Sequence, residues 1–385
     1  MLAAGSEMSL RELLLAYWPV PAAAFAVSLL STPLCRLAAI KLDYVDRPDG
    51  VLKPHARPIA YLGGIAVFCG WIAGILVGLA QVGLSQFDLV ATVGILVAGL
   101  AITATGLVDD ILDIRPVTKV VCSVAVAAIL LATGTGEDLF TIFRWFMPMP
   151  ASRVWIVALS VPISVFIIVG ACNATNLIDG MDGLCSGVLS IISIGFFVLA
   201  AHLALWGEPE PVDPLCITLS LAMAGGALGF LPYNRNPARI FLGDAGSMLL
   251  GFNAAVLILL MGRAGIVRWM VGALMIFGLP IYDMLLTLVR RWRNGRPLMG
   301  GDRSHFYDQL IDRGYTVRQV VAISYALTAF FVVLGCATMY IRTRYVICVY
   351  LAVTLCVAAV AWKLDMVRVE SPASDAPETE TPSDA

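Results

Sequence analysis

Four polar residues at strict three-residue spacing, Asn173, Asn176, Asp179 and Asp182 in NATNLIDGMDGL (173–184), form the densest patch of potential chemistry in this 385-residue chain. A three-residue step turns about 60° on an α-helix, so the four groups spread over about half its circumference. In a tighter turn they nearly eclipse. Two carboxylates this close repel, more strongly in low dielectric, and call for a positive partner. Oxygen-only donors suit magnesium best. The same stretch also fits a polar helix-to-helix loop, capped by Asn and turned by Gly180 and Gly183. A second acidic group stands in GLVDDILDIRP (106–116), where Asp109 and Asp110 are each within one turn of Asp113. It reads as a cation or proton site, or as helix-end carboxylates paired with Arg115 or Lys119. FLGDAGS (241–247) sets Asp244 between glycines, either to approach a ligand closely or as a helix cap. Arg303 and His305 in GGDRSHFYDQL (300–310) offer a diphosphate fork and a phosphate or hydroxyl partner. The upstream RRWRNGR (290–296) reads as a membrane anchor. His55, in KPHARP, fits phosphate or plain surface equally, and Asp283 fits either the site or an arginine partner. His202 lies at the far end of its span, away from all of these.

The elements that position these residues are apolar. The chain is 59% hydrophobic and 14% charged, with a mean hydropathy of +0.88, a profile of polytopic membrane proteins rather than soluble domains. A net charge of −2 argues against nucleic acid as a partner. The nine cysteines have no CxxC spacing and sit mostly in apolar runs, as buried small hydrophobes. Runs of about spanning length, roughly 17–25 residues, fall at 13–40, 59–82, 87–107, 117–133, 153–172, 184–206, 215–231, 245–262, 267–289, 320–341 and 345–362. The first is long enough to be a retained span rather than a cleaved signal. The expectation is one integral membrane domain over 1–369 and a disordered acidic tail over 370–385.

Eleven spans place the termini on opposite sides. The loops between spans 1–2, 3–4, 5–6, 7–8 and 9–10, with the C-terminus, carry 18 of the Lys and Arg, against 7 on the other side. The richer side is expected to be cytoplasmic, with the N-terminus outside. Every group named above except His202 falls on that side, in five separate loops, which points to a single composite site.

With those residues in place, the chain resembles the polyprenyl-phosphate N-acetylhexosamine-1-phosphate transferases, a family that includes the phospho-MurNAc-pentapeptide translocases. KPHARPIAYLGG, GLVDDILDIRP, NATNLIDGMDGL, FLPYNRNPARIFLGDAGS and DRSHFYDQL occur in family order over about 41–320. The resemblance implies an all-α polytopic membrane protein of about eleven transmembrane helices, with a cytoplasmic-face active site built from five loops in a bacterial plasma membrane, and a homodimer. It implies Mg²⁺, replaceable by Mn²⁺, held by Asn176 and Asp244. Asp109, Asp110 and Asp182 would serve catalysis, and Lys53, His55, Asn173, Asp179, Asn234, Arg303 and His305 substrate binding. The implied reaction moves an N-acetylhexosamine 1-phosphate, first of all GlcNAc 1-phosphate, from its UDP-sugar to undecaprenyl or another polyprenyl phosphate with release of UMP. That step initiates an envelope glycan such as lipopolysaccharide O-antigen or a cell-wall polymer. It proceeds by direct attack or through a phospho-aspartate. One departure concerns the sugar: where the bacterial GlcNAc-1-phosphate members carry HxHH, this chain has His305-Phe306-Tyr307-Asp308. Two rivals stand beside this reading. An ion-coupled transporter or channel predicts carboxylates at mid-span, and a hydrolase would use water in place of the lipid.

Overall fold

The structure is a computed structural model that describes residues 9–47, 58–137, 139, 153–206, 213–263, 267–295, 297 and 305–367. Lys53, His55 and Arg303, together with the tail 370–385, lie outside the described residues. The chain runs through α1 (Leu10–Tyr17), α2 (Pro19–Lys41), β1 (Val45–Asp46), β2 (Ile59–Ala60), α3 (Gly63–Val82), α4 (Leu89–Leu112), α5 (Pro116–Ala132), α6 (Arg153–Ile178) and α7 (Leu184–Trp206). It continues through α8 (Asp213–Asn234), α9 (Gly243–Arg263), α10 (Val267–Ile276), α11 (Gly278–Arg293), α12 (Phe306–Asp312), α13 (Val317–Ala337) and α14 (Thr343–Lys363). Among the described residues nine helices are long and apolar enough to cross a membrane, taking α1 and α2 as one, and ten when α10 and α11 count as a single span. α5, at 17 residues, supplies the remaining apolar helix. Each of the eleven predicted runs thus has a helical counterpart, and the protein is an all-α, multi-pass membrane protein.

α9 is the axis of the bundle. Its apolar stretch is buried in full, against 11% for α14, as expected of a helix that is hydrophobic all round. α3, α4, α6, α7, α8 and α10 surround it. Between α2, α3 and α8 the backbones approach through small residues: Gly70, Gly74 and Gly78 stand four apart on α3 and face Ala24, Ala222 and Thr218. This is the close packing that replaces a hydrophobic drive between helices in lipid.

Three boundaries differ from the hydropathy reading, each at a functional edge. α4 continues past residue 107 to Leu112, and α6 past 172 to Ile178. Hydropathy marks where the apolar run stops, whereas the helix goes on through polar residues whose lower propensity costs only a fraction of a kcal/mol each, under about 0.7. The run at 267–289 is two helices bent by 73°. Pro280 explains the break: it has no N–H for the carbonyl of Ile276, and its ring crowds that turn. A further difference concerns Asp113, which does not share a helical face with Asp109 and Asp110. It follows the last turn of α4 in the left-handed conformation (φ 48°), exposed at the surface.

Candidate active site

The segment between α8 and α9 gathers the other loops at one end of the bundle. Its residue Ile240 bridges Ala60 in parallel, and Ala60 belongs to the β1–β2 hairpin in which Val45 pairs with Ala60. Asn234, 3% exposed, uses its whole carboxamide here. Oδ1 accepts from the Gly183 N–H (3.1 Å) and the Ser186 hydroxyl (2.8 Å), and Nδ2 donates to the Ile240 carbonyl (3.2 Å). Asp182 ties the same two loops, its Oδ2 accepting from Asn236 Nδ2 (3.0 Å) and Ala238 N–H (2.9 Å). Asn234→Ala strips three buried groups of their partner, so it is expected to lower stability by about 2–4 kcal/mol, read as an earlier thermal midpoint of the detergent-purified protein. An unchanged midpoint would mean that this lock is not needed.

Beside the lock lies a charged cluster at the ends of α4, α5, α6 and α9. Asp110 reaches from α4 to the first turn of α9, its two oxygens accepting from the N–H groups of Asp244 (2.8 Å) and Ala245 (3.1 Å). A carboxylate at a helix N-terminus satisfies orphan donors and the positive end of the dipole. Gly243 permits the approach: its φ is +72°, and a Cβ there would sit 2.7 Å from an Asp110 oxygen. With the cap supplied by Asp110, the carboxylate of Asp244 turns elsewhere. Its Oδ1 accepts from Asn176 Nδ2 (2.7 Å), and its Oδ2 meets the Lys119 ammonium of α5 (2.5 Å). Lys119 also contacts Asp109 Oδ2, while Asp109 Oδ1 accepts from the Ile114 N–H at 3.0 Å. One cation therefore sits between two carboxylates. Asp179, just past α6, is held well above the usual carboxylate range, first by burial and then by the charges of Asp244, Asp110 and Asp182. The Tyr61 hydroxyl is likewise pushed up by burial and the carboxylates of Asp46 and Asp110. Carboxylates thus crowd around Asp179 and Tyr61.

Among the described residues no group of three or more His, Cys, Asp or Glu is arranged to hold a metal ion. Magnesium does not require one, since it takes one or two carboxylates and keeps waters or substrate phosphates for the rest. Asp109 and Asp244 fit that pattern, and the Lys119 ammonium marks the point between them as a cation seat. Asn176 gives its Nδ2 to Asp244 and would offer its oxygen only with the carboxamide turned over.

The fifth loop docks from the side. His305, 3% exposed, places Nδ1 2.9 Å from Asp283 Oδ2 and 3.2 Å from Thr287 Oγ1. Asp283 Oδ1 accepts from the Phe306 N–H at 3.1 Å. Asp283 is thus the partner of the His305 loop. The ring of Tyr307 stacks on His305, 5.2 Å between centroids, and its hydroxyl donates to the Leu177 carbonyl at 2.8 Å. Gly180 gives it room: a Cβ there would lie 2.2 Å from the Tyr307 oxygen.

Of the residues expected from sequence, Asp109, Asp110, Asn176 and Asp244 come together around Lys119, and Asp179 faces them. Asp182 and Asn234 stand one layer behind, holding loops. His305 is anchored on Asp283, with Tyr307 carrying its loop to the end of α6. Asn173 turns back to its own helix, its Nδ2 donating to the Val169 carbonyl at 2.7 Å. Lys119 is the member that sequence reasoning did not place in the site. Its signal was its position, one of only two basic residues in the loop that carries Asp109 and Asp110.

The fold is a helical membrane bundle with carboxylates and a lysine gathered at helix ends, at the edge of the span region. The profile of glycosyl transferase family 4 matches residues 92–262, the stretch from α4 to α9 that carries Asp109, Lys119, Asn176 and Asp244. A protein of Bacillus subtilis (strain 168) named as a probable undecaprenyl-phosphate N-acetylglucosaminyl 1-phosphate transferase is 33% identical over 327 residues, covering 83% of this chain and 86% of the relative. An undecaprenyl-phosphate alpha-N-acetylglucosaminyl 1-phosphate transferase of Yersinia pestis is 30% identical over 328 residues, 81% of this chain and 82% of the relative. A phospho-N-acetylmuramoyl-pentapeptide-transferase of Synechococcus sp. (strain JA-3-3Ab) is 29% identical over 346 residues, 86% and 96% of the two chains. The chain belongs to this family, the polyprenyl-phosphate N-acetylhexosamine-1-phosphate transferases.

Proposed function

We propose that the protein transfers N-acetylglucosamine 1-phosphate from its UDP-sugar to undecaprenyl or a related polyprenyl phosphate, releasing UMP. The observation that carries this reading is the Asp109–Lys119–Asp244 cluster with Asn176, which joins the ends of α4, α5, α6 and α9. The β1–β2 hairpin and the His305 loop attach beside it through Ala60–Ile240 and Tyr307–Leu177. There a lipid phosphate can stay at the membrane edge while a nucleotide enters from water. The choice of GlcNAc follows the activity for which the Bacillus and Yersinia relatives are named. The charge asymmetry of the loops supports a cytoplasmic location for this end, in a bacterial plasma membrane.

In the reaction an oxygen of the lipid phosphate forms a bond to the β-phosphorus, and the bond from that phosphorus to the bridging oxygen breaks as UMP leaves. Both partners are anionic. Asp109, Asp244 and Asn176 would hold Mg²⁺, which supplies charge stabilisation to the diphosphate oxygens. Lys119, which holds that seat in the metal-free protein, would be displaced from it and follow the diphosphate as charge builds on the leaving UMP. Asp110 keeps both oxygens on the α9 amides, and Asp109 is engaged by Lys119 and the Ile114 N–H. That occupancy favours direct attack over a phospho-aspartyl route, since a lipid phosphate is already largely ionised and needs no strong base. Asp283 would fix the His305 ring through Nδ1, leaving Nε2 as the nitrogen for substrate.

Asp283→Asn is accordingly expected to lower kcat/KM about 10–100-fold, the range for loss of an orienting partner, with stability little changed. Full activity would separate His305 from the reaction. The direct test of the reading offers UDP-GlcNAc, UDP-GalNAc and deoxy-N-acetyl UDP-sugars separately, with Mg²⁺ and undecaprenyl phosphate, and follows UMP. UMP from UDP-GlcNAc that disappears with EDTA or without lipid is the expected result. UMP independent of lipid would indicate hydrolysis. Release from another sugar alone would reassign the donor.

A further inference from the structure

At the end of the bundle opposite the loops, a second polar cluster lies among aromatic rings. His202, near the C-terminus of α7, has three ring neighbours: Trp206 at 5.0 Å between centroids, Trp269 of α10 at 5.6 Å, and Tyr340, three residues past α13, at 5.6 Å. The Arg268 guanidinium lies over the Trp269 ring, 4.6 Å from its centroid. Trp269 is only 3% exposed. Yet its Nε1, the Nδ1 of His202 and the Nε of Arg268 are all enclosed without a hydrogen-bond partner among the described residues. Trp71 in the same bundle shows the ordinary arrangement, its buried indole N–H meeting Asn253 Oδ1 at 2.8 Å. Buried polar groups are nearly always paired, above all where lipid replaces water as solvent. Three orphaned nitrogens in one cluster mark a missing partner.

The donor inventory says what that partner is. The indole N–H and the guanidinium N–H can only donate, and the guanidinium is charged at any working pH, while His202 Nδ1 can take either role. The partner is therefore an acceptor with negative charge. A water molecule would serve the two donors without matching the Arg268 charge. The rim adds location. Trp206 is 67% exposed and Tyr340 78%, amphipathic rings of the kind that sit at headgroup level. Arg342 follows two residues after Tyr340, and Arg344 lies over Tyr345 at 4.8 Å. This end is the one poor in basic residues, with 7 Lys and Arg against 18, and Arg268, Arg342 and Arg344 are three of them.

We propose that this cluster between α7, α10 and the turn Thr338–Tyr340 binds the phosphate of an anionic phospholipid headgroup. The site is separate from the transferase loops and does not depend on their assignment. The test is native mass spectrometry of the detergent-purified protein, titrated with phosphatidylglycerol, with phosphatidylcholine of the same acyl chains, or with inorganic phosphate. Phosphatidylglycerol is expected to be retained at about five-fold lower concentration than phosphatidylcholine, the factor that one near-surface arginine contributes toward an anionic lipid. Arg268→Gln and Trp269→Phe, the latter keeping the ring and losing only the N–H, are each expected to abolish that preference while UMP release stays at the wild-type rate. The same preference in both variants, or none in the wild type, would overturn the proposal. Displacement of the lipid by inorganic phosphate would also overturn it, and would make this a site for the free anion.

Discussion

Asp244→Asn is expected to cut UMP release by about 10²–10³-fold or more, the scale on which a single charge-stabilising group counts in a preorganised site. The change keeps the shape of the side chain and leaves the start of α9 intact, because that turn is capped by Asp110 through the Asp244 and Ala245 backbone amides. It removes one of the two negative charges around Lys119, and with it one of the two carboxylates that meet the ammonium. Folding should survive. Two carboxylates and one ammonium become one of each, so the cluster moves toward neutrality and stability should hold or rise slightly. The readouts are UMP release under saturating lipid and sugar nucleotide, and the thermal midpoint in the same detergent. Asp113→Asn is the matched control, since Asp113 is exposed beyond α4 in a left-handed turn that asparagine also adopts. It should keep near-normal turnover. Wild-type turnover in the Asp244 variant would remove this carboxylate from the chemistry.

That cluster also shows how far the sequence can be read. Each apolar run became a helix, because the hydrocarbon core admits little else for an isolated span. The sorting of acidic and basic motifs into alternate loops is an expectation of the same kind: an odd number of spans and the basic bias predict which loops share a side. What was not legible is how the side chains pair. Hydropathy reports the solvent around a segment and says nothing of a hydrogen bond from Asp110 to an amide 134 residues away. Asp244 followed by Ala-Gly-Ser has the local pattern of a helix cap, yet the cap comes from α4. Lys119 looked like a partner for a helix-end carboxylate, which it is, but the bundle gives it a second carboxylate on α9. Asn234 stood in a polar motif and reads as a ligand group, whereas its carboxamide is spent on Gly183, Ser186 and Ile240. Asp283 was ambiguous because its partner, His305, follows it 22 residues later across the helix-loop junction.

Lys119→Met is expected to change both the resting protein and its turnover. The Lys119 side chain is 22% exposed, and its partners Asp109 and Asp244 are 7% and 24% exposed, so solvent screens the triad only in part. Methionine keeps the length of the side chain and removes its charge, leaving two carboxylates facing each other across the former ammonium position. Breaking a fully buried pair costs about 3–5 kcal/mol and an exposed one about 0–1 kcal/mol. This partly screened triad should fall between, at about 1–3 kcal/mol in metal-free detergent. Turnover should drop by about 10²–10³-fold, because the cation that would follow the diphosphate is gone. Divalent ions then supply a readout independent of activity. At the proposed metal seat, an added Mg²⁺ or Mn²⁺ would compete in the wild type with the ammonium for Asp109 and Asp244, so its stabilisation would be offset by the contacts it displaces. In Lys119→Met there is no competitor, and a ligand at 100 times its Kd stabilises by about 2.7 kcal/mol. The metal-dependent rise in thermal midpoint should accordingly be larger in the inactive variant than in the active wild type. Equal metal-dependent shifts in the two proteins would show that the ammonium and the metal do not share a seat. A metal-free Lys119→Met protein as stable as the wild type would show that the two carboxylates are not balanced by this lysine.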